Sequence, residues 1–160
     1  MRQEIDEIPE AAARLLHRSV KEFALIGAAL RAKDPAFVVT VARGSSDHAA
    51  LFLKYAIELT AKLPVASIGP SLASIYGTEL KLGRGAAIAI SQSGKSPDIV
   101  ALAETATRAG ATSIALTNTL PSPLAKRLQT FPQHSSRSGK CGRRHQVLCE
   151  LRRRRPCGAG

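Results

Sequence analysis

Apolar residues open the chain at spacings of three and four: Ile5, Ile8, Ala12, Leu15, Leu16, Val20, Phe23, Ala24 and Ala28. This spacing predicts an amphipathic helix from Glu4 to Arg31, with Pro9 separating a short leading turn from the main helix and Pro35 ending the section. The period then changes. Phe37 to Val41 is a largely β-branched run, which fits a strand buried on both faces, and it stops at Arg43-Gly44-Ser45-Ser46. Ser46 is expected to cap a second helix, Asp47 to about Ala61, with Leu51, Tyr55, Ile57 and Leu59 on its apolar face.

The alternation continues down the chain. Pro64 to Ile68 reads as a short strand, followed by Gly69-Pro70-Ser71 and a short helix through Leu72 and Ile75 to about Tyr76. Gly85 to Ile90 is a third strand, Pro97 to about Ala109 a helix, and Thr112 to Leu116 a fourth strand ending at Thr117-Asn118, after which Ser122-Pro123 starts another helix. Strand, loop and helix in alternation predict an α/β fold with a parallel sheet, because parallel neighbours need crossover connections. Ligands in such sheets sit at the carboxyl ends of the strands, so the polar loops after all four strands are expected on one rim.

The loop after the third strand carries the chemistry. Ser91-Gln92-Ser93-Gly94-Lys95-Ser96 joins a buried strand to a helix opened by Pro97, placing three hydroxyls, an amide and a helix N-terminus together. That is the outline of a phosphate cradle. A helix cap needs one side chain, and this turn offers four. Ser91, Gln92, Ser93 and Ser96 are therefore candidate phosphate ligands, with Ser45 and Ser46 reaching the other end of a phosphorylated small molecule. No acid, base or nucleophile pair accompanies them, so no catalytic residue is assigned. His48 reads as a surface or packed histidine, His17 lies in the lead helix away from the strand ends, and Glu79 reads as solvent-facing; Arg43 has two possible partners, the phosphate or an acid such as Asp47.

Composition agrees with one globular domain: 160 residues, 44% hydrophobic, 4% aromatic and no Trp, hence an aliphatic core. No apolar run approaches the roughly 18 residues of a membrane span and the N-terminus lacks a signal-peptide layout, so a cytoplasmic location is expected. The net charge of +11 is uneven. Residues 1–126 carry 14 Lys and Arg against 11 Asp and Glu, and residues 127–160 carry 9 against 1. Cys141, Cys149 and Cys157 also lie in that tail, without the Cys-x-x-Cys pairs of structural zinc sites, and its arginines lack aromatic interleaving. Neither a metal, a cofactor nor a specific nucleic-acid partner is expected.

Ile90-Ser91-Gln92-Ser93-Gly94-Lys95-Ser96-Pro97-Asp98 resembles the phosphosugar-binding turn of sugar isomerase (SIS) domains, and Arg43-Gly44-Ser45-Ser46 resembles the turn after that family's first strand. Met1, Glu4, Ile5 and Pro9 are similar to the lead of the isomerase half of glucosamine-fructose-6-phosphate aminotransferases. The resemblance spans residues 1 to about 126. It implies a three-layer α/β/α sandwich around a parallel, flavodoxin-like sheet of five strands, of which four are evident here, the fifth being expected to be missing. It implies binding of a phosphosugar such as fructose-6-phosphate or glucosamine-6-phosphate, with Ser45 and Ser46 nearest the sugar. The implied activity is that of an amino-sugar-phosphate isomerase, aminotransferase or deaminase, usually dimeric. The alternative is a regulatory SIS module that senses a phosphosugar without turnover.

The tail departs from the family pattern, and the family's catalytic second domain has no counterpart in these residues. The expected Gly-Pro-Glu and Ala-Thr-Lys segments are missing from residues 127–160 as written, but with suitable codons residues 138–151, read one base later, spell PENAAAATKSFVNS. In that frame residues 134–137 give IPAG and Arg152 to Arg155 continue as VVAG. The expectation is a phosphosugar-binding domain over 1–126, truncated by a frameshift between Lys126 and His134, with a basic, disordered and out-of-frame tail over 127–160.

Overall fold

The computed structural model describes residues 8–128 and 149–150. Helix α1 (Ile8–Lys33) leads into β1 (Phe37–Val41), α2 (Ser45–Ala61), β2 (Val65–Ser67) and the short α3 (Ser71–Ser74). Then follow β3 (Gly85–Ser91), α4 (Pro97–Arg108), β4 (Thr112–Thr117), α5 (Pro123–Arg127) and the two-residue β5 (Cys149–Glu150). The sheet order is β2-β1-β3-β4-β5, with the first four strands parallel and β5 antiparallel to β4. Among the described residues there is no fifth parallel strand; Glu150 and Cys149 pair with Ala115 and Leu116 in the place beside β4. The leading turn expected before Ile8 and most of the tail lie outside the described residues.

Alternation along the strands divides the core into two faces. Val38, Ala86, Ile88, Ile90 and Ile114 pack with Ile26 of α1 and Ala50 of α2, supported by Phe23, Leu30, Leu53 and Ile57. On the opposite face Val41, Ala89 and Ala115 pack with Ile99, Val100, Leu102 and Ala103 of α4 and with Leu124 and Leu128. Val39 and Ala87 complete that face with Ala106. Thus α2, which carries the chain from β1 outward to β2, covers one face, and α4, from β3 outward to β4, covers the other. Successive crossovers of one hand in opposite directions along the sheet put their helices on opposite sides. The chain reverses direction between β1 and β3, where such sheets open a crevice at their carboxyl ends.

Three local expectations change. Helix α2 begins at Ser45, with Gly44 at its cap and no side-chain cap bond. Gly44 has φ 58°, a left-handed conformation that glycine adopts without a side-chain penalty, and this starts the helical turn earlier than a Ser46 cap would. The apolar positions of α2 also face two ways: Leu53 and Ile57 meet the core, whereas Leu51, Phe52, Tyr55 and Leu59 are exposed. Finally, β2 is shorter than its apolar run. Pro64 and Ile68 flank it with one ladder-like bond each, Val38 N–H to the Pro64 carbonyl at 2.9 Å and Ile68 N–H to the Thr40 carbonyl at 2.9 Å. Among the described residues no helix is long and apolar enough to cross a membrane.

Candidate functional site

Adjacent strands bring the two serine turns together. The turn after β1 sits beside the turn after β3 at the carboxyl rim, while Ser71, after the edge strand β2, starts one strand further out. In the first turn, Ser46 N–H donates to the Arg43 carbonyl at 3.3 Å and Asp47 N–H to the Gly44 carbonyl at 3.0 Å. The backbone thus closes the helical turn, and the Ser45 and Ser46 hydroxyls are not consumed in capping.

The turn after β3 is organised by its own hydroxyls. The buried Ser91 Oγ accepts from Gly94 N–H at 3.1 Å, and the Ser93 Oγ accepts from Lys95 N–H at 3.2 Å. A serine hydroxyl has one proton to donate, and here its oxygen already accepts, so both O–H groups are available to an incoming acceptor. Ser96 occupies the cap position of α4 without a side-chain cap bond. Gln92 and Ser93 are exposed and Ser96 half-buried. A ligand rich in acceptor oxygens and carrying negative charge matches this donor set and the positive end of the 12-residue α4.

The third side of the turn is the segment after β4. Ser91 and Thr117 are register partners on the same face of the sheet. Asn118 N–H donates to the Gln92 carbonyl at 3.1 Å, and the hydroxyls of Thr119 and Thr117 reach the same oxygen at 3.2 and 3.4 Å. Leu124 N–H donates to the Gly94 carbonyl at 3.0 Å. Gly94 itself has φ 60°, and a Cβ there would lie 2.4 Å from the Ser122 Oγ and 2.8 Å from the Thr117 Oγ1. Only glycine satisfies both the backbone angle and the close approach. Ser122 is the cap that its sequence context predicts: its Oγ accepts from Ala125 N–H at 3.2 Å.

Arg43 resolves to an acid, Asp98 rather than Asp47. Its guanidinium donates to the Asp98 carboxylate in the first turn of α4, linking the two serine turns. The Arg43 side chain is 67% exposed and that of Asp98 16%. Burial pushes the Asp98 carboxyl up, but the Arg43 hydrogen bond and charge, with the backbone N–H groups of Ile99 and Asp98, hold it below its ordinary value. Glu79 is exposed, as expected, and His48 and His17 are exposed too, His48 taking the surface alternative. Among the described residues no group of three His, Cys, Asp or Glu could hold a metal ion. Sequence reasoning put Thr117 and Asn118 on the rim but found no role for Asp98, Thr119 or the close approach at Gly94. An acid in a first helical turn is a generic preference, and its partner lies 55 residues away.

A family model described as the SIS domain matches residues 33–130. The chain is 41% identical over 90 residues to the glutamine–fructose-6-phosphate aminotransferase (isomerizing) of Halobacterium salinarum, a match covering 54% of this chain and 14% of that protein. Among solved structures it is similar to a protein from Silicibacter pomeroyi DSS-3 assigned as a phosphosugar isomerase, with 58% identity and a TM-score of 0.76 over 79% of this chain and 38% of that one. It is also similar to the C-terminal domain of glucosamine-fructose-6-phosphate aminotransferase from Francisella tularensis, with 25% identity, a TM-score of 0.64 and coverage of 79% and 36%. The chain spans less than two fifths of the length of these relatives.

Proposed function

This chain belongs to the SIS domain family, and from that footing we propose that the crevice between β1 and β3 binds a phosphorylated sugar. Ser91, Gln92, Ser93 and Ser96 hold the phosphate, and Ser45 and Ser46 face the sugar. The observation that carries this reading is the donor polarity of the turn: the Ser91 and Ser93 oxygens accept backbone N–H groups, leaving their protons for a ligand. The names of the relatives support a hexose or amino-sugar phosphate such as fructose-6-phosphate or glucosamine-6-phosphate as the ligand.

The described residues supply binding, within an amino-sugar-phosphate isomerase, aminotransferase or deaminase. None of the candidate serines hydrogen-bonds to a carboxylate or imidazole among the described residues, an arrangement that also favours a second reading, a phosphosugar sensor without turnover. The protein acts in the cytoplasm, with a second copy of the chain as its protein partner; the outward Leu51, Phe52, Tyr55 and Leu59 of α2 support that pairing. The sequence beyond a point between Lys126 and His134 is read as out of frame.

Isothermal titration with fructose-6-phosphate, glucosamine-6-phosphate and unphosphorylated fructose tests the binding. Saturable heats with the phosphates, absent with fructose and lost in Ser93→Ala, are expected. Equal response to fructose and fructose-6-phosphate overturns the assignment of the turn to phosphate. Conversion of either sugar phosphate by the 160-residue chain removes the sensor reading.

A further inference from the structure

We infer that Thr117 and Thr119 are positioning residues for the phosphate end of the crevice, acting through the peptide between Gln92 and Ser93; this rests on the phosphosugar reading above. The Gln92 carbonyl receives three donors from the end of β4 and the segment after it: Asn118 N–H at 3.1 Å, the Thr119 hydroxyl at 3.2 Å and the Thr117 hydroxyl at 3.4 Å. A carbonyl oxygen has two lone pairs, so these donors saturate it and fix the plane of the peptide. That peptide is trans, the cis bond among the described residues being Leu120–Pro121. In a planar trans peptide the N–H points opposite to the C=O.

The direction has a consequence set by strand order. Strand β3 has β4 on one side and β1 on the other. A Gln92 carbonyl held toward the β4 segment turns the Ser93 N–H toward the β1 turn, into the crevice faced by Ser45 and Ser46. The Ser93 N–H makes no hydrogen bond to the described residues, whereas the neighbouring Gly94 and Lys95 N–H groups are taken by Ser91 and Ser93. The Gly94 carbonyl is drawn to the same side by Leu124 N–H at 3.0 Å, and the tight fit of Gly94 against Ser122 and Thr117 leaves the turn no room to roll. The two threonine hydroxyls therefore aim a backbone donor at the phosphate without touching it. Loss of both leaves Asn118 N–H as the one donor from this segment on the Gln92 carbonyl, so the peptide plane is held less firmly and the Ser93 N–H is aimed less well at the anion.

The test is titration of the ¹⁵N-labelled 160-residue chain with fructose-6-phosphate and, separately, inorganic phosphate, read by calorimetry and at the Ser93 amide resonance. The wild-type amide is expected to move downfield on binding. In Thr117→Val/Thr119→Val affinity falls by about tenfold, the Ser93 shift shrinks, and the serine pair Thr117→Ser/Thr119→Ser restores both. If the double variant does not fold, Thr119→Val alone, at the half-buried position, is expected to show the same losses at smaller size. Wild-type binding with an unmoved Ser93 amide, or unchanged affinity and shift in the valine variants, overturns the positioning role and leaves the phosphosugar reading intact. No response of the wild type to either ligand overturns that reading, and the positioning role with it.

Discussion

Arg43, just beyond the carboxyl end of β1, is paired with Asp98 in the first turn of α4, so one ion pair spans the crevice between the two strands that flank it. The pair places a carboxylate beside the helix N-terminus where the phosphate is proposed to sit. Paired, Asp98 tightens the junction of the two turns; unpaired, it would repel a dianion.

Arg43→Ala is therefore expected to weaken fructose-6-phosphate binding by about three- to tenfold, the modest size reflecting solvent screening of a largely exposed guanidinium. Adding Asp98→Asn to that variant should recover most of the loss. Equal affinities for the wild type and Arg43→Ala would show that the pair has no part in the site.

The same pair sets an acid dependence. The folded-state pKa of Asp98 lies below its ordinary 3.8, so its contribution to stability is fully present above that value and is lost as pH falls through the lowered folded-state pKa. Urea melts of wild type and Asp98→Asn between neutrality and about pH 3 should differ most at the neutral end and converge on acidification. A gap that widens toward acid contradicts this sign.

Gly94→Ala should be the most damaging single change in the turn. It forces a side chain into φ 60° and against the Ser122 Oγ at 2.4 Å. We expect a loss of about 2–4 kcal/mol by denaturant melts, from the backbone and overpacking penalties together, with no measurable sugar-phosphate binding.

Two serines that look alike in sequence should separate. Ser122→Ala removes the α5 cap and should cost about 1 kcal/mol of stability. Ser46→Ala, whose hydroxyl caps nothing, should change stability by less than about 0.5 kcal/mol while weakening sugar binding. The opposite ranking would return Ser46 to a structural role.

The outer stripe of α2 predicts self-association. Phe52, 77% exposed, lies beside Tyr55 and Leu59 on that face. Light scattering after gel filtration should give a dimer for the wild type and a monomer of unchanged circular dichroism for Phe52→Glu. A wild-type monomer at high concentration removes the second copy from the proposed partners.

The sheet and its rim were legible because each element carries its own period. The run Gly85 to Ile90 is apolar throughout since β3 is covered on both faces, and the helices show their core positions at three- and four-residue spacing. The serine turns were legible as well, because strand, hydroxyls and helix start are contiguous. What local pattern could not carry was pairing at a distance. The Arg43–Asp98 contact and the threonine grip on Gln92 arise only once β1, β3 and β4 lie side by side. The outward Leu51, Tyr55 and Leu59 were misassigned for a related reason: an apolar residue on a helix does not say which of two faces it serves.

The alanines of β3 carry a last consequence. Ala87 and Ala89 put a single carbon each between the sheet and α4, where Ala103 and Ala106 answer with equally short side chains. Small side chains on both sides allow close approach of α4 to the strand that feeds it at these positions. Since Ser91 ends β3 and Ser96 caps α4, larger side chains in this seam are expected to shift one serine against the other. The spacing of the rim is thereby tied to buried methyl groups beneath it.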